Sequence, residues 1–397
     1  MSLLAPEQAW VRIAERAHAL PPCAMPLSRA VGRILSEPVA TRIDLPPFDR
    51  SAMDGYALRA ADTPGRLEVT GEIAAGSMPH GPVWAGTAQR IFTGGPLPKG
   101  ADAVVRQEDT ERDGDTVDVR VRARPGGHVR ARGEDAPGGG PLLDAGDAVT
   151  VNALHVLASA GLATVPVHRP ARVGVLLTGD ELVAPGKHLP PGRIYETSGV
   201  TLRAMVERAG AEAIDLGTAP DTRARIANRL QIALADVDVL LVAGGVSVGD
   251  HDHVKGALAD AGVEELFWGV RIKPGKPLFC GHRGEKWAFG LPGNPLSGVV
   301  SFLAFVEPLL RRLHGEAGAV ERRLPARTTA RVEPSDGRRT YLTARLETDA
   351  KGVLRATPTA AQGSAMTLAL ARADGFIVVP DGTPAVRAGG AVDVLRL

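Results

Sequence analysis

The sequence predicts a multidomain α/β protein with β-rich domains, and three observations carry that reading. The chain has 397 residues, 44% of them hydrophobic, which at the usual domain size supports roughly two to four cores. Across residues 171–317, apolar runs ending in glycine or an acid alternate with helical patterns. On either side lie segments rich in glycine, proline and short valine runs.

The opening stretch, MSLLAPEQAWVRIAERAHAL, spaces acids and arginines along an amphipathic helix and lacks the basic start and apolar block of a signal peptide. Residues 1–40 read as helices broken at Pro21, Pro22 and Pro26. From Thr41 to about residue 140, runs such as DAVVRQED and DTVDVRVRA read as strands of a small β-rich domain, closed by the turn GEDAPGGGPLL. Helical spacing resumes in VNALHVLASAGL and stops at Pro166 and Pro170. The β-rich domain (41–140) is therefore read as an insertion into a helical linker domain made of 1–40 and 141–170.

In the next domain (171–317), RVGVLL reads as a strand running into TGDEL, followed by a helix in TSGVTLRAMVERAG and a strand in AEAIDLG. TRARIANRLQIALAD and VDVLLVAGG are the next helix and strand. Such alternation implies right-handed crossovers, a parallel sheet and ligands at the carboxyl ends of its strands. WAFGLPGNPLSGVVSFLAFVEPLL closes the domain as strand, tight turn and helix, with Asn294 as cap and Pro295 at the first helical position. Residues 318–397 return to short strands and glycine turns, as in a small β domain or barrel.

Composition narrows the partners. A net charge of +1 gives no bulk attraction for nucleic acid. The two cysteines, Cys23 and Cys280, are too few for a disulfide framework and suit a reducing, cytoplasmic setting. The most apolar run, Gly298 to Leu310, contains Glu307 and Pro308 and is shorter than the roughly 20 apolar residues a membrane span needs.

The chemistry-bearing motifs gather at strand ends of the α/β segment. In GGVSVGDHD (244–252) the glycines let backbone N–H groups approach an anion, with a following helix behind them; the alternative is an ordinary glycine turn. The stretch matches neither the dinucleotide pattern nor a Walker loop. His251 and His253 lack a companion His or Cys cluster for zinc and read as surface histidines. Asp252, with Asp180, Glu181 and Asp221, offers the oxygen ligands that magnesium prefers, although Asp221 in DTRAR is equally a plain helix cap. KPGKP places Lys273 and Lys276 on a stiff turn suited to a compact anion, or to solvent. Outside the segment, DLPPFDRSAMDGYAL packs Ser51, Met53, Asp54 and Tyr56 into a proline-stiffened loop, and RARGED ends in Asp135. Each could instead be a hairpin corner.

SAMDGYA, FTGGPLPKGADAVV, RGED, TGDEL, GGVSVGDHD, IKPGKP and LPGNP, in this order, closely resemble the MoeA family of molybdopterin molybdenumtransferases, whose eukaryotic counterpart is the gephyrin E domain. The α/β segment alone also resembles molybdopterin adenylyltransferase. The resemblance implies a helical linker domain, an inserted small β domain, a doubly wound α/β molybdopterin-binding domain and a C-terminal β-barrel. It implies a homodimer with a composite active site, the inserted domain of one subunit facing the α/β site of the other. The implied reaction inserts molybdenum from molybdate into adenylylated molybdopterin and releases AMP, with Mg²⁺. Asp54, Asp135, Glu181, Asp221, Asp252, Lys273 and Lys276 carry over as catalytic, with Glu181 and Asp252 toward the metal. Thr178, Gly179, Gly244, Gly245, Ser247, Gly249, Pro292, Gly293, Asn294 and Ser364 carry over as binding the nucleotide-pterin. Molybdopterin adenylyltransferase and molybdoenzyme maturation proteins are implied as protein partners.

Two positions depart from the family pattern. His253 stands where many relatives carry an aromatic residue, and Thr343 where they often carry an arginine, with Arg339 and Arg345 as the nearest substitutes. Two other functions compete: a non-catalytic scaffold of the same fold, and adenylylation. The retained acids and lysines favour the enzyme over a scaffold, and the flanking domains argue against the small adenylyltransferase.

Overall fold

The computed structural model describes residues 3–245, 253–335 and 337–397. The chain forms two compact units, Met1–Cys23 with His168–Leu397, and Ala24–Val167. Helix α1 (Pro6–Ala14) opens the first unit with proline in its first turn and buries Ala9 and Ile13. Among residues 3–40, helix is confined to α1 and the single turn Leu27–Ala30. Pro22–Pro26 is extended instead, because three prolines within six positions withhold the N–H groups a helix needs.

The unit Ala24–Val167 is built on a six-stranded sheet of β1 (Gly55–Leu58), β2 (Gly65–Ile73), β3 (Thr87–Ile91), β4 (Ala103–Arg106), β5 (Thr110–Asp113) and β6 (Thr116–Val119), in the order β4-β1-β3-β2-β6-β5. Only β2 and β3 pair in parallel. Alternation decides which face is buried: Val117 and Val119 are in the core with Tyr56, Leu58 and Leu67, while Asp118 between them is exposed. Helix α2 (Val151–Ser159) is capped by Thr150, whose hydroxyl accepts the Ala153 N–H at 3.1 Å.

In the other unit, β7 (Arg172–Thr178), α3 (Ser198–Arg208), β8 (Glu212–Ala219), α4 (Arg223–Asp236), β9 (Val239–Ala243), α5 (His253–Asp260), β10 (Glu264–Trp268), β11 (Phe279–Arg283) and β12 (Lys286–Leu291) form a six-stranded sheet ordered β8-β7-β9-β12-β11-β10. The first four strands are parallel, and β11 runs against both its neighbours. The sheet is doubly wound. Val175, Val239 and Leu241 pack on one face with Leu202 and Val206 of α3, whereas Leu176, Leu240 and Val242 pack on the other with Ile226 and Leu230 of α4 and Leu258 of α5. Burial on both faces is why these strands read as unbroken apolar runs.

The amino-terminal edge of the sheet is locked by one ion pair. Asp238, 6% exposed, accepts two bonds from the Arg169 guanidinium at 2.7 and 2.8 Å and a third from the Arg172 N–H at 2.8 Å. After β12, α6 (Pro295–Ser301), a π turn (Phe302–Val306) and α7 (Glu307–Leu313) run consecutively through the core. Pro308 lacks the N–H that the Ala304 carbonyl would receive, which accounts for the slipped turn before it.

Strands β13 (Arg323–Thr328), β14 (Arg339–Thr348), β15 (Leu354–Pro358), β16 (Gly375–Val379) and β17 (Ala391–Arg396) close a five-stranded barrel, β14-β15-β13-β17-β16 and back to β14. Ala344, Ala356, Ile377 and Val394 fill it, while Tyr341, Phe376 and Leu395 point outward into the core of the α/β sheet. No helix among the described residues is long and apolar enough to cross a membrane.

Candidate active site

Strand order fixes where a ligand can enter. The chain leaves β7 toward β8 but leaves β9 toward β12, so the carboxyl ends of β7 and β9 part at a topological switch point. A cavity of about 610 Å³ opens there. Thr178 and Gly179 line it from the end of β7, Gly244 and Gly245 from the end of β9, and Pro292, Gly293 and Asn294 from the end of β12. Ser247, Gly249 and Asp252 lie outside the described residues, as does His251.

The chain approaches itself closely at the mouth of β9. Gly244 has φ +102°, and a Cβ there would lie 2.5 Å from the Thr178 carbonyl oxygen and 2.9 Å from its hydroxyl. Only glycine accepts both constraints. Thr178 is 4% exposed, and its buried hydroxyl has no hydrogen-bond partner among the described residues. An unpaired buried hydroxyl on a cavity wall is costly unless a ligand completes it.

Carboxylates cluster beside it. Glu181 and Asp221 line the cavity, and the Asp221 N–H donates to Asp180 at 3.4 Å. The cap of α4 is Thr222, not Asp221, so helix capping does not account for this carboxylate. Burial, followed by the nearby charges of Asp180 and Glu181, raises the Asp221 pKa, while the Asp180 contact and His253 oppose the rise. Among the described residues no group of three or more His, Cys, Asp or Glu side chains is placed to hold a metal ion.

The KPGKP turn follows β10 at the same edge of the sheet. Its exposed lysines, Lys273 and Lys276, are not part of the cavity wall, to which the turn contributes Pro277. Its first residue, Lys273, and Ile272 before it pair in parallel with Thr340 and Arg339 at the start of β14. Gly275, at φ +108°, lies so close to Ser301 that a Cβ would come within 3.0 Å of its hydroxyl.

The barrel supplies another wall. Ala365 and Thr367 line the cavity, and Ser364 is tied to the start of α6 by the Asn294 amide at 3.2 Å and by the Leu296 N–H at 3.2 Å. Asn294 occupies the cap position without a capping side-chain bond; its side chain holds Ser364. Thr343 is fully buried on the outer face of β14, beneath the segment leading to Ser364, which it anchors by bonds to Thr359 at 2.5 Å and to Gln362. Neither nearby arginine takes its place at the cavity. Arg339 pairs with Glu7, and Arg345 pairs with Asp374 at 3.2 Å.

Asp54 and Asp135 belong to the other unit. Asp54 accepts the Thr93 N–H and hydroxyl, both at 2.7 Å, and the Thr93 backbone bond is the main reason its pKa is lowered. Asp135 lines a polar cavity of about 880 Å³ with Arg50, Arg130 and Glu134. The density of acids in DLPPFDRSAMDGYA has a structural cause: Asp49 accepts the Arg132 N–H at 2.7 Å, and Asp44 accepts the Gly138 N–H at 2.8 Å and pairs with Arg132.

Sequence reasoning missed Ile194–Ser198, which lines the cavity through a two-residue parallel pairing, Leu182 with Ile194 and Val183 with Tyr195. The only local signal was the start of α3, where Glu196 accepts the Gly199 N–H at 3.0 Å.

Comparison with known proteins places this architecture. Residues 4–161 match the family described as MoeA N-terminal region (domain I and II), residues 174–312 the probable molybdopterin binding domain, and residues 325–397 the MoeA C-terminal region (domain IV). A molybdopterin molybdenumtransferase of Haemophilus influenzae is 36% identical over 93% of this chain and 92% of its own length. Molybdopterin molybdenumtransferase 2 of Mycobacterium tuberculosis is 37% identical over 97% of each. The crystal structure of the molybdopterin biosynthesis moeA protein from Pyrococcus horikoshii OT3 is 30% identical, with a TM-score of 0.83 over 100% of both chains.

Proposed function

The chain belongs to the MoeA family, and from that premise we infer that it acts in molybdenum cofactor biosynthesis as a molybdopterin molybdenumtransferase. The reaction proposed moves molybdenum from molybdate into adenylylated molybdopterin and releases AMP. What supports it most is the switch-point cavity, where the Gly244 backbone and the Thr178 hydroxyl, unpaired among the described residues, stand beside Glu181 and Asp221. A hydroxyl beside a glycine wall that carries no Cβ leaves room for a phosphate oxygen to approach, and the cavity volume of about 610 Å³ suits a nucleotide-sized ligand.

The donor chemistry suits Mg²⁺, although the described residues alone form no metal-holding group. The donors are carboxylates, and burial beside Asp180 and Glu181 leaves Asp221 with an excess of negative charge that a hard cation relieves. Glu181 and Asp252 would hold the ion, which when bound compensates phosphate charge. In this reading Gly244, Gly245, Ser247 and Gly249 accommodate the phosphates. Pro292, Gly293, Asn294 and Ser364 shape the opposite wall, while Lys273 and Lys276 hold molybdate oxygens. Asp54 and Asp135 complete the site from the second copy of a homodimer in the cytoplasm, with molybdopterin adenylyltransferase and molybdoenzyme maturation proteins as neighbours in the pathway. The four-part division at residues 40, 140, 170 and 317 belongs to the same proposal.

The test is incubation with adenylylated molybdopterin, molybdate and Mg²⁺. AMP and cofactor should appear together, and AMP release without cofactor would overturn the reading. Lys276→Ala is expected to raise the molybdate concentration for half-maximal rate by about tenfold, the loss of one charge-assisted contact, with pterin binding little changed. A selective loss of pterin binding would reassign the turn to the organic ligand.

A further inference from the structure

The chain contains three tyrosines. Tyr56 and Tyr341 are 3% and 2% exposed and belong to cores, whereas Tyr195 is 42% exposed and lines the switch-point cavity. Among the described residues it is the only aromatic side chain on that wall. The ring is held at both ends. Its backbone is fixed by the Ile194 N–H donating to the Glu181 carbonyl at 3.0 Å and the Glu196 N–H donating to the Val183 carbonyl at 2.9 Å. Its hydroxyl donates to the Lys187 carbonyl at 2.9 Å, across a loop that carries Pro185, Pro190 and Pro191. The same ribbon carries Glu181, so the ring and the carboxylate cluster keep a fixed relation to each other. A large apolar surface left in water at a cavity rim, with its one polar atom already satisfied, has a free π face and no structural task for it.

We propose that Tyr195 is the stacking platform for a fused nitrogen heteroaromatic ring, adenine or pterin, of the ligand held in this cavity. This rests on the cavity being the nucleotide-pterin site and assigns the residue that orients the planar end of the ligand. Both rings present a flat nitrogen-heterocyclic face on which a phenol can stack.

Calorimetry on the full chain tests it with AMP, ribose 5-phosphate and 6-hydroxymethylpterin as probes, against Tyr195→Leu and Tyr195→Phe. Tyr195→Leu is expected to weaken one of the two ring-bearing probes by about tenfold or more, the usual effect of losing one base–aromatic stack. Ribose 5-phosphate, which has no ring to stack, should bind as before, and Tyr195→Phe should stay within about threefold of the parent chain because the π face remains. Loss confined to AMP assigns the platform to adenine, and loss confined to the pterin assigns it to pterin. If Tyr195→Leu weakens neither probe, or weakens ribose 5-phosphate equally, the platform is refuted while the site itself stands. If the parent chain binds neither ring, the nucleotide-pterin reading of the cavity fails and the platform with it.

Discussion

Gly244→Ala is expected to cut AMP release by about 100-fold, the loss that follows when a reacting group is misplaced by about 1 Å. The new Cβ would fall 2.5 Å from the Thr178 carbonyl oxygen, and backbone cannot swing aside as the end of a long side chain can. The residue would also have to hold φ at +102°, which costs a non-glycine residue on the order of 1–3 kcal/mol. The carboxyl ends of β7 and β9 must then separate, at the point where the cavity opens. Gly293→Ala is the control. It lines the same cavity, but its Cβ would meet only the Gly244 Cα at 3.6 Å, an ordinary contact, and its effect should be several-fold at most. Turnover assays with circular dichroism on both variants distinguish local displacement from unfolding. Near-normal turnover in Gly244→Ala would mean that the close approach has no bearing on the reaction.

The second large effect concerns stability. Asp238→Ala is expected to destabilise its unit by about 3 kcal/mol, the lower end for breaking a buried pair because Arg169 keeps a route to solvent. Burial raises the Asp238 pKa, but the Arg169 bonds, the Arg172 N–H and the charges of Arg169 and Lys286 together outweigh it, and the net pKa is lowered. The unfolded chain therefore binds the proton more readily than the folded one. The pair's contribution is complete above the unfolded carboxyl value of about 3.9 and disappears as pH falls through the lower folded value. Urea unfolding of the parent chain and Asp238→Ala should differ most at neutral pH and converge below about pH 4. A constant gap across that range would show that the variant acts by lost packing instead.

What could be read from the sequence alone was whatever has a local period or a stereochemical demand. Runs such as VDVLLVA announce a strand covered on both faces, and the glycines of GGVSVG announce a close backbone approach. Pro295 marks a helix start whatever lies around it. Pairings between distant residues have no such signature. Nothing near Asn294 indicates that its amide is used by Ser364, 70 positions away, instead of by its own helix. Nothing in DTRAR separates a capping aspartate from one that stands beside Asp180. The acids of DLPPFDRSAMDGYA invited a functional explanation because their partners, Arg132, Gly138 and Thr93, are far away in sequence. Tyr195 was invisible for a related reason, since a two-residue strand pairing is too short to leave a pattern.

The bond between Asn294 and Ser364 also bears on when the cavity exists during synthesis. Every strand of the α/β sheet precedes Asn294, so a ribosome-bound chain can pair that sheet and bury its interior while the wall formed by Ala365 and Thr367 has yet to be made. At roughly 5–20 residues per second, the 70 residues from Asn294 to Ser364 take about 4–14 s. For that interval a nascent chain has a formed sheet and an open-sided pocket. The cavity gains that wall only after the barrel segment has docked, so its full lining is a late product of each molecule's folding.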